Sequence, residues 1–96
     1  MEIVSIYLVE PGDTPDLDEK TDIFAELKST GSQEQLNAGQ RGYKNTLKFE
    51  VLASEYSEQS ELEYGGNRLT IYRTYKPSLD KMELYAGERI GNNGRY

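Results

Sequence analysis

The chain has 96 residues, 35% of them hydrophobic and 29% charged, with a net charge of −6 and neither cysteine nor histidine. That length allows one domain with a small core; the missing cysteines exclude disulfides and cysteine–zinc sites, and the missing histidines remove the commonest general base and metal ligand. The charge is uneven: residues 1–30 carry eight acids against Lys20 and Lys28, whereas residues 31–96 carry nine acids and nine bases, a balance that argues against a tight grip on a phosphate backbone.

Ile3 to Val9 is a short apolar run with β-branched residues and reads as a first strand within residues 1–9. The opening MEIVSIYLVEPGD has no basic stretch followed by a small-residue cleavage site, and no run of about 18 apolar residues exists, so neither a signal peptide nor a membrane helix is expected and the default compartment is cytoplasmic. Residues 10–21, with two prolines, a glycine and five acids, read as an acidic loop. Its Asp13, Asp16, Asp18, Glu19 and Asp22 do not have the spacing and central glycine of a calcium loop, so no metal is expected there; a solvated loop that repels DNA or meets a basic partner is the alternative.

Asp22 to Ser29 alternates, with Ile23, Ala25 and Leu27 on one face and Phe24, Glu26 and Lys28 on the other, as a second strand does. Residues 30–43 form a polar insertion in which Leu36 and Ala38 have almost nothing to bury with. Ser32 and Gln35 have the spacing of a capping box, and Gly39 is placed to end at most two helical turns. Thr46 to Ala53 alternates again, with Leu47, Phe49, Val51 and Ala53 inward. Glu55 to Ser60 is a polar turn and Glu61 to Tyr64 the next strand, followed by a tight turn at Gly65-Gly66-Asn67 that needs positive φ.

Arg68 to Tyr75 places Leu69, Ile71, Arg73 and Tyr75 on one face and Arg68, Thr70, Tyr72 and Thr74 on the other. After the turn at Lys76–Asp80, Lys81 to Ile90 places Met82, Leu84, Ala86 and Ile90 inward and Glu83, Tyr85 and Arg89 outward. Residues 92–96 read as a flexible tail. About six short strands with one partly helical insertion between the second and third predict a mainly β, small antiparallel barrel in a single domain spanning 1–96. The last two runs are hairpin partners. Tyr72 and Tyr85, outward beside Arg68 and Arg89, serve either as cross-strand packing or as a protein contact, since Tyr and Arg are enriched in binding hot spots.

No carboxylate pair is selected by spacing, no serine has a base partner, and Lys76 and Lys81 sit at a turn, so no catalytic residue is expected. An exposed tyrosine set on a small barrel suits single-stranded nucleic acid, but Glu83 and Glu88 are interleaved with the arginines.

Four segments have a characteristic order and spacing. They are Phe24-Ala25-Glu26-Leu27-Lys28-Ser29; Ser32-x-Glu34-x-x-x-Ala38-Gly39-Gln40-x-Gly42-x-Lys44; Leu62-Glu63-Tyr64-Gly65-Gly66-Asn67-Arg68-x-x-Ile71-Tyr72-Arg73-Thr74-Tyr75; and Met82-Glu83-Leu84-Tyr85-Ala86-Gly87-Glu88-Arg89-Ile90-Gly91. Together they resemble the bacteriophage head–tail joining family, also called head closure proteins, in the versions common in phages and prophages of Gram-positive bacteria. The resemblance covers most of residues 22–91, and its last two segments are the more specific. Leu69 stands where an aromatic is common, and the acidic loop matches in position alone.

The resemblance implies a structural, non-catalytic protein without cofactors. It implies a connector ring of copies of itself that closes the DNA-filled capsid below the portal and adaptor and docks the tail. Its partners would be portal or adaptor and tail-completion proteins, with viral DNA passing unbound and no membrane involved. Its location would be the virion junction, and the bacterial host cytoplasm before assembly. Arg68, Tyr72, Tyr85 and Arg89 are then the candidate interface; Ser32, Glu34, Gln40, Arg41 and Tyr43 are the candidate channel or inter-ring loop. Another neck or tail-completion ring protein is the nearest alternative, and a monomeric barrel of the oligonucleotide-binding kind, taking nucleic acid or a small ligand, is the alternative of a different class.

Overall fold

The computed structural model describes residues 1–90, and the tail expected at 92–96 lies outside them. Six strands run through the chain: β1 (Glu2–Glu10), β2 (Glu19–Lys28), β3 (Tyr43–Leu52), β4 (Glu61–Tyr64), β5 (Asn67–Tyr75) and β6 (Lys81–Arg89). One helix, α1 (Ser32–Gln40), connects β2 to β3, and short 3₁₀ turns occupy Pro15–Leu17 and Ala53–Glu55. Every strand pairing is antiparallel. The order β1-β2-β3-β6-β5-β4 closes on itself, because β4 also pairs with β1 through Tyr7↔Glu63, Leu8↔Leu62 and Val9↔Glu61. Closure gives each strand a partner on both sides and so shortens its free edges, although the β1–β4 and β2–β3 seams are three residue pairs each. Among the described residues no helix is long and apolar enough to cross a membrane.

The alternation read from the sequence fills the barrel. Ile6 and Leu8 from β1, Ile23 and Ala25 from β2, Phe49 and Val51 from β3, Leu62, Leu69, and Leu84 with Ala86 are buried as one cluster. Leu27, Leu47, Ile71 and Met82 pack against it from its margins. Phe49 is fully buried and meets the Tyr64 ring edge-on, centroids 5.3 Å apart. Burying a side chain of that size contributes roughly 2–3 kcal/mol, so this cluster, rather than the polar exterior, holds the sheet together.

The turns follow local chemistry. Gly65 and Gly66 adopt φ of +60° and +82°, which lets a two-residue turn join β4 to β5. β5 and β6 pair as expected, from Thr70↔Gly87 to Tyr75↔Glu83.

Several expectations need correction. β2 begins at Glu19, since Glu19, Lys20 and Thr21 pair with Glu10, Val9 and Leu8; the acidic loop shrinks to residues 11–18. Helix α1 is capped at Gly31 with no side-chain cap, and the Gln35 amide donates to the Thr30 hydroxyl instead of closing a box with Ser32. Gly39 lies inside the helix; the terminator is Gly42, at φ +91°. Tyr43 belongs to β3, and Ala53 has left that strand for a 3₁₀ turn. Ile90 is half-exposed rather than inward.

The largest departure is in β5. Its register shifts between Ile71 and Arg73, so Ile71 faces Ala86 while Arg73 faces Tyr85. A β-bulge inserts one residue and inverts the facing of everything beyond it. Arg73 and Tyr75, expected inward, therefore share the outer face with Tyr85 and Glu83.

Candidate functional site

The bulge makes Tyr72 the extra residue and turns it toward the start of β3. Tyr43 stacks on it with centroids 4.8 Å apart and planes 17° from parallel. The Arg41 guanidinium lies 5.6 Å from the Tyr72 centroid, and that of Arg89 lies 5.6 Å from the Tyr43 centroid. Gly87 on β6 permits the assembly. A Cβ there would meet the Thr46 methyl at 3.0 Å, the Lys44 carbonyl oxygen at 3.2 Å and the Tyr43 Cβ at 3.3 Å. A side chain at position 87 would crowd the start of β3, so that Thr46, Lys44 or Tyr43 would have to give by a few tenths of an ångström.

Next to this stack, Tyr85 lies on the outer face yet is only 7% exposed. Its cover is cationic: the Arg73 guanidinium is 4.1 Å and the Lys48 ammonium 5.5 Å from its ring centroid. Its hydroxyl donates to Glu83 Oε1 at 3.3 Å. Cations held over tyrosine rings gain roughly 0.5–1 kcal/mol each at exposed sites.

Glu34 ties helix α1 to this face. Its Oε2 accepts a hydrogen bond from the Tyr72 hydroxyl at 2.8 Å, and its Oε1 pairs with Arg73 at 3.1 Å. Burial, and then the bond donated to Glu34, hold the Tyr72 phenol well above its ordinary pKa, so it stays a neutral donor. The helix has little else to hold it, because Ala38 is its one buried residue.

Two groups that the sequence kept apart are thus one assembly. Tyr72, Tyr85 and Arg89 from the expected interface join Glu34, Arg41 and Tyr43 from the expected loop. Ser32 remains exposed on α1, outside it, and Gln40, also exposed, lines a concavity of about 310 Å³ with Glu34, Arg41 and Arg73. Arg68 does not stand beside the tyrosines. It is held by Asp18 at 3.1 Å, Glu61 at 2.6 Å and Glu63 at 3.0 Å, with Lys20 bridging to Glu63 at 3.2 Å. The bond that Arg68 donates to Glu61 raises the Arg68 pKa, while the Gly12 amide and then Arg68 hold Asp18 below the usual carboxylate range. This network pins the acidic loop to β4 and β5. Among the described residues no group of three or more carboxylates is placed to hold a metal.

Alternation already placed Lys48 outward, but it did not place Arg73 on the same face as Tyr85, because a bulge leaves no signature in alternation. Sequence reasoning also missed an apolar surface on the outside of β1 and β2. Phe24 is 74% and Ile3 57% exposed there, and Leu52, half-exposed, adjoins them at the end of β3. With Glu26, Glu55 and Lys81 they line a shallow concavity of about 330 Å³. The signal was present in the alternation itself, which already put Phe24 on the face away from the core.

These features form two surfaces of different character on one barrel. No protein-family model, no curated protein and no solved structure matches the chain.

Proposed function

We propose that this protein is a structural, non-catalytic component of a bacteriophage head–tail junction, a head closure protein that works as one of several copies between the portal–adaptor assembly and the tail. The observation that carries this reading is helix α1. It lies between β2 and β3, where the resemblance places the family's connection, yet it buries a single residue against its own barrel. A helix that leaves Leu36 and a row of amides exposed on the outside of a closed barrel is suited to contacts outside its own chain. The four family-like segments fall on β2, on α1 with the first residues of β3, on the β4–β5 hairpin and on β6.

The cationic face refines the expected division of labour. Arg41, Arg73 and Arg89 beside α1 would hold passing DNA back rather than let it slide, because each cation near a phosphate releases counterions. That side of the helix is therefore assigned to protein neighbours. Electron microscopy of particles assembled without this protein tests the reading. DNA-filled heads and free, complete tails that fail to join, and that join when purified protein is added, are expected. Complete virions, or heads that never fill, overturn it.

The same arginines favour the alternative of a nucleic-acid-binding barrel. Fluorescence anisotropy with single-stranded oligonucleotides separates the two: affinity falling steeply with salt supports that alternative, and no binding at physiological salt supports the junction protein.

A further inference from the structure

We infer that the end of the barrel between helix α1 and the β4–β5 hairpin is a binding site for a primary alkylammonium group, the chemistry of a lysine side chain or of a small free amine. A concavity of about 440 Å³ lies there, lined by β3, the hairpin, β6 and one residue of α1, Gln35. Its size is that of a small-ligand site, and the mouth of a barrel is a common place for one. The inference goes beyond the junction reading and does not rest on it, since it concerns a single barrel.

The backbone is specialised at this end. β3 and β6 lose register between Lys44↔Glu88 and Leu47↔Ala86, so Asn45 and Thr46 together face Gly87. Asn45 takes a φ of +52°, a left-handed value that asparagine tolerates better than most residues. Bulges and such backbone values concentrate beside binding sites. The bulge also has a chemical product. The Asn45 amide donates to Glu88 Oε2 at 3.1 Å and so holds the carboxylate in place. Lys44, the register partner of Glu88, makes no ion pair with it.

Thr46 is a second, independent observation. It is 7% exposed, and its hydroxyl is buried without a hydrogen-bond partner among the described residues. The oxygen lies close enough to the Tyr72 phenol to offset part of that group's upward shift, but the phenol proton is committed to Glu34 and no hydrogen bond joins the two hydroxyls. A buried hydroxyl in that state is costly, and valine would fill the same space without the cost, so folding alone gives no reason for it.

The lining chooses the ligand. Glu88 is its one charged residue among those described, unlike the concavity beside Glu34, Arg41 and Arg73, so an anion is disfavoured. Glu88, the Asn67 amide and the Thr46 hydroxyl offer acceptors, while Leu47, Leu69 and Tyr64 supply an apolar stretch for an aliphatic stem. An ammonium carries three donors that fan out to separate acceptors. A guanidinium fork suits a carboxylate with both oxygens free, and here Asn45 occupies Oε2.

NMR of the isotopically labelled full chain tests the site, with butylammonium, the lysine side chain cut at Cα, added at constant ionic strength. Amides of residues 45–47, 67–69 and 88 are expected to shift together and saturate with a Kd of roughly 1–10 mM, while the acidic loop at 11–18 stays unmoved. Butyrate and butanol are expected to bind at least about fivefold more weakly. Glu88→Gln, which keeps an acceptor for Asn45, is expected to weaken butylammonium by about fivefold or more, and Thr46→Val by about twofold to fivefold without lowering the melting temperature. Nα-acetyl-lysine N-methylamide gives the source: binding within about twofold of butylammonium, or tighter, assigns the ligand to a lysine of a protein chain, and weaker binding assigns it to a free amine. No saturable shift up to about 50 mM overturns the inference. Equal shifts in the acidic loop, butyrate binding as well as butylammonium, or unchanged binding in Glu88→Gln overturn it too. So does a Thr46→Val protein that melts lower and binds as before, because the hydroxyl then belongs to the fold.

Discussion

Glu34→Ala isolates the one polar anchor between helix α1 and the barrel. Glu34 is 17% exposed at its side chain and accepts the Tyr72 hydroxyl at 2.8 Å. A hydrogen bond to a charged partner in such a position is worth roughly 1.5–3 kcal/mol, part of it the desolvation left on the orphaned phenol. The ion pair with Arg73 adds little, at most about 0.5 kcal/mol, because Arg73 is nearly half exposed and solvent screens it. A loss of about 2 kcal/mol is therefore expected, and its location is specific. A nine-residue helix is not stable alone, and Ala38 is the one residue α1 buries, so the helix should open while the barrel stays shut. Hydrogen exchange read by mass spectrometry should show α1 amides exchanging about 10–30-fold faster, with β1, β2 and β6 unchanged. Tyr72→Phe should reproduce most of the effect, and the double variant should add little to either single one. If α1 exchanges within about twofold of wild type in Glu34→Ala, or if the whole barrel accelerates together, Glu34 is not the anchor and the geometry has been given the wrong energetic role.

Two further outcomes follow from the same structure. Tyr56 and Tyr72 are both raised from the ordinary 10.0, chiefly by burial, so the folded state holds these protons more tightly than the unfolded chain; the stability this confers is complete below pH 10 and is lost as pH rises beyond it, and urea midpoints should fall above that pH, less steeply in Tyr72→Phe. Alanine at two glycines should act in opposite directions in thermal unfolding: Gly66→Ala, at φ +82°, should destabilise by about 1–2 kcal/mol, whereas Gly39→Ala, inside α1 with nothing within 4 Å of the new methyl, should stabilise by roughly 0.5 kcal/mol.

The barrel was legible because burial imposes a period of two. Ile23 and Ala25, Phe49 and Val51, Leu84 and Ala86 each announce the inner face of their strand, and the Gly65-Gly66 pair announces a turn that only positive φ can make. Nothing in the sequence announces where that period breaks. The extra residue at Tyr72 sits in a run, Thr70-Ile71-Tyr72-Arg73, whose alternation looks unbroken, and the shift appears only in pairing with β6. The candidate site depends on that shift, so its members were named but not assembled: Tyr72 and Tyr85 were expected as companions, yet each has its own arginine, and Arg68 belongs to the acid network on another part of the wall. The segment of helix α1 was read as a polar insertion of at most two helical turns with almost nothing to bury, and the structure agrees about the poverty while showing a nine-residue helix and what composition cannot carry, a carboxylate aimed at a part-buried phenol 38 positions away.

The tyrosines also bear on how DNA would meet this surface. A platform for single strands needs aromatic faces open to bases. Here one face of Tyr72 is taken by Tyr43, and Arg41 lies over the ring; Tyr43 has Tyr72 and Arg89; Tyr85 is closed by Arg73 and Lys48. A base could stack only by displacing a cation that is already held, which removes the electrostatic gain that would have drawn the phosphate in. The same arrangement favours a protein partner. Guanidiniums fixed over rings have lost much of their side-chain freedom before contact, so less entropy is lost when a carboxylate meets them. Aromatic rings on this barrel therefore support cations, and under the proposed junction role the partner they would suit is an acidic, partly apolar protein surface rather than a nucleic-acid strand.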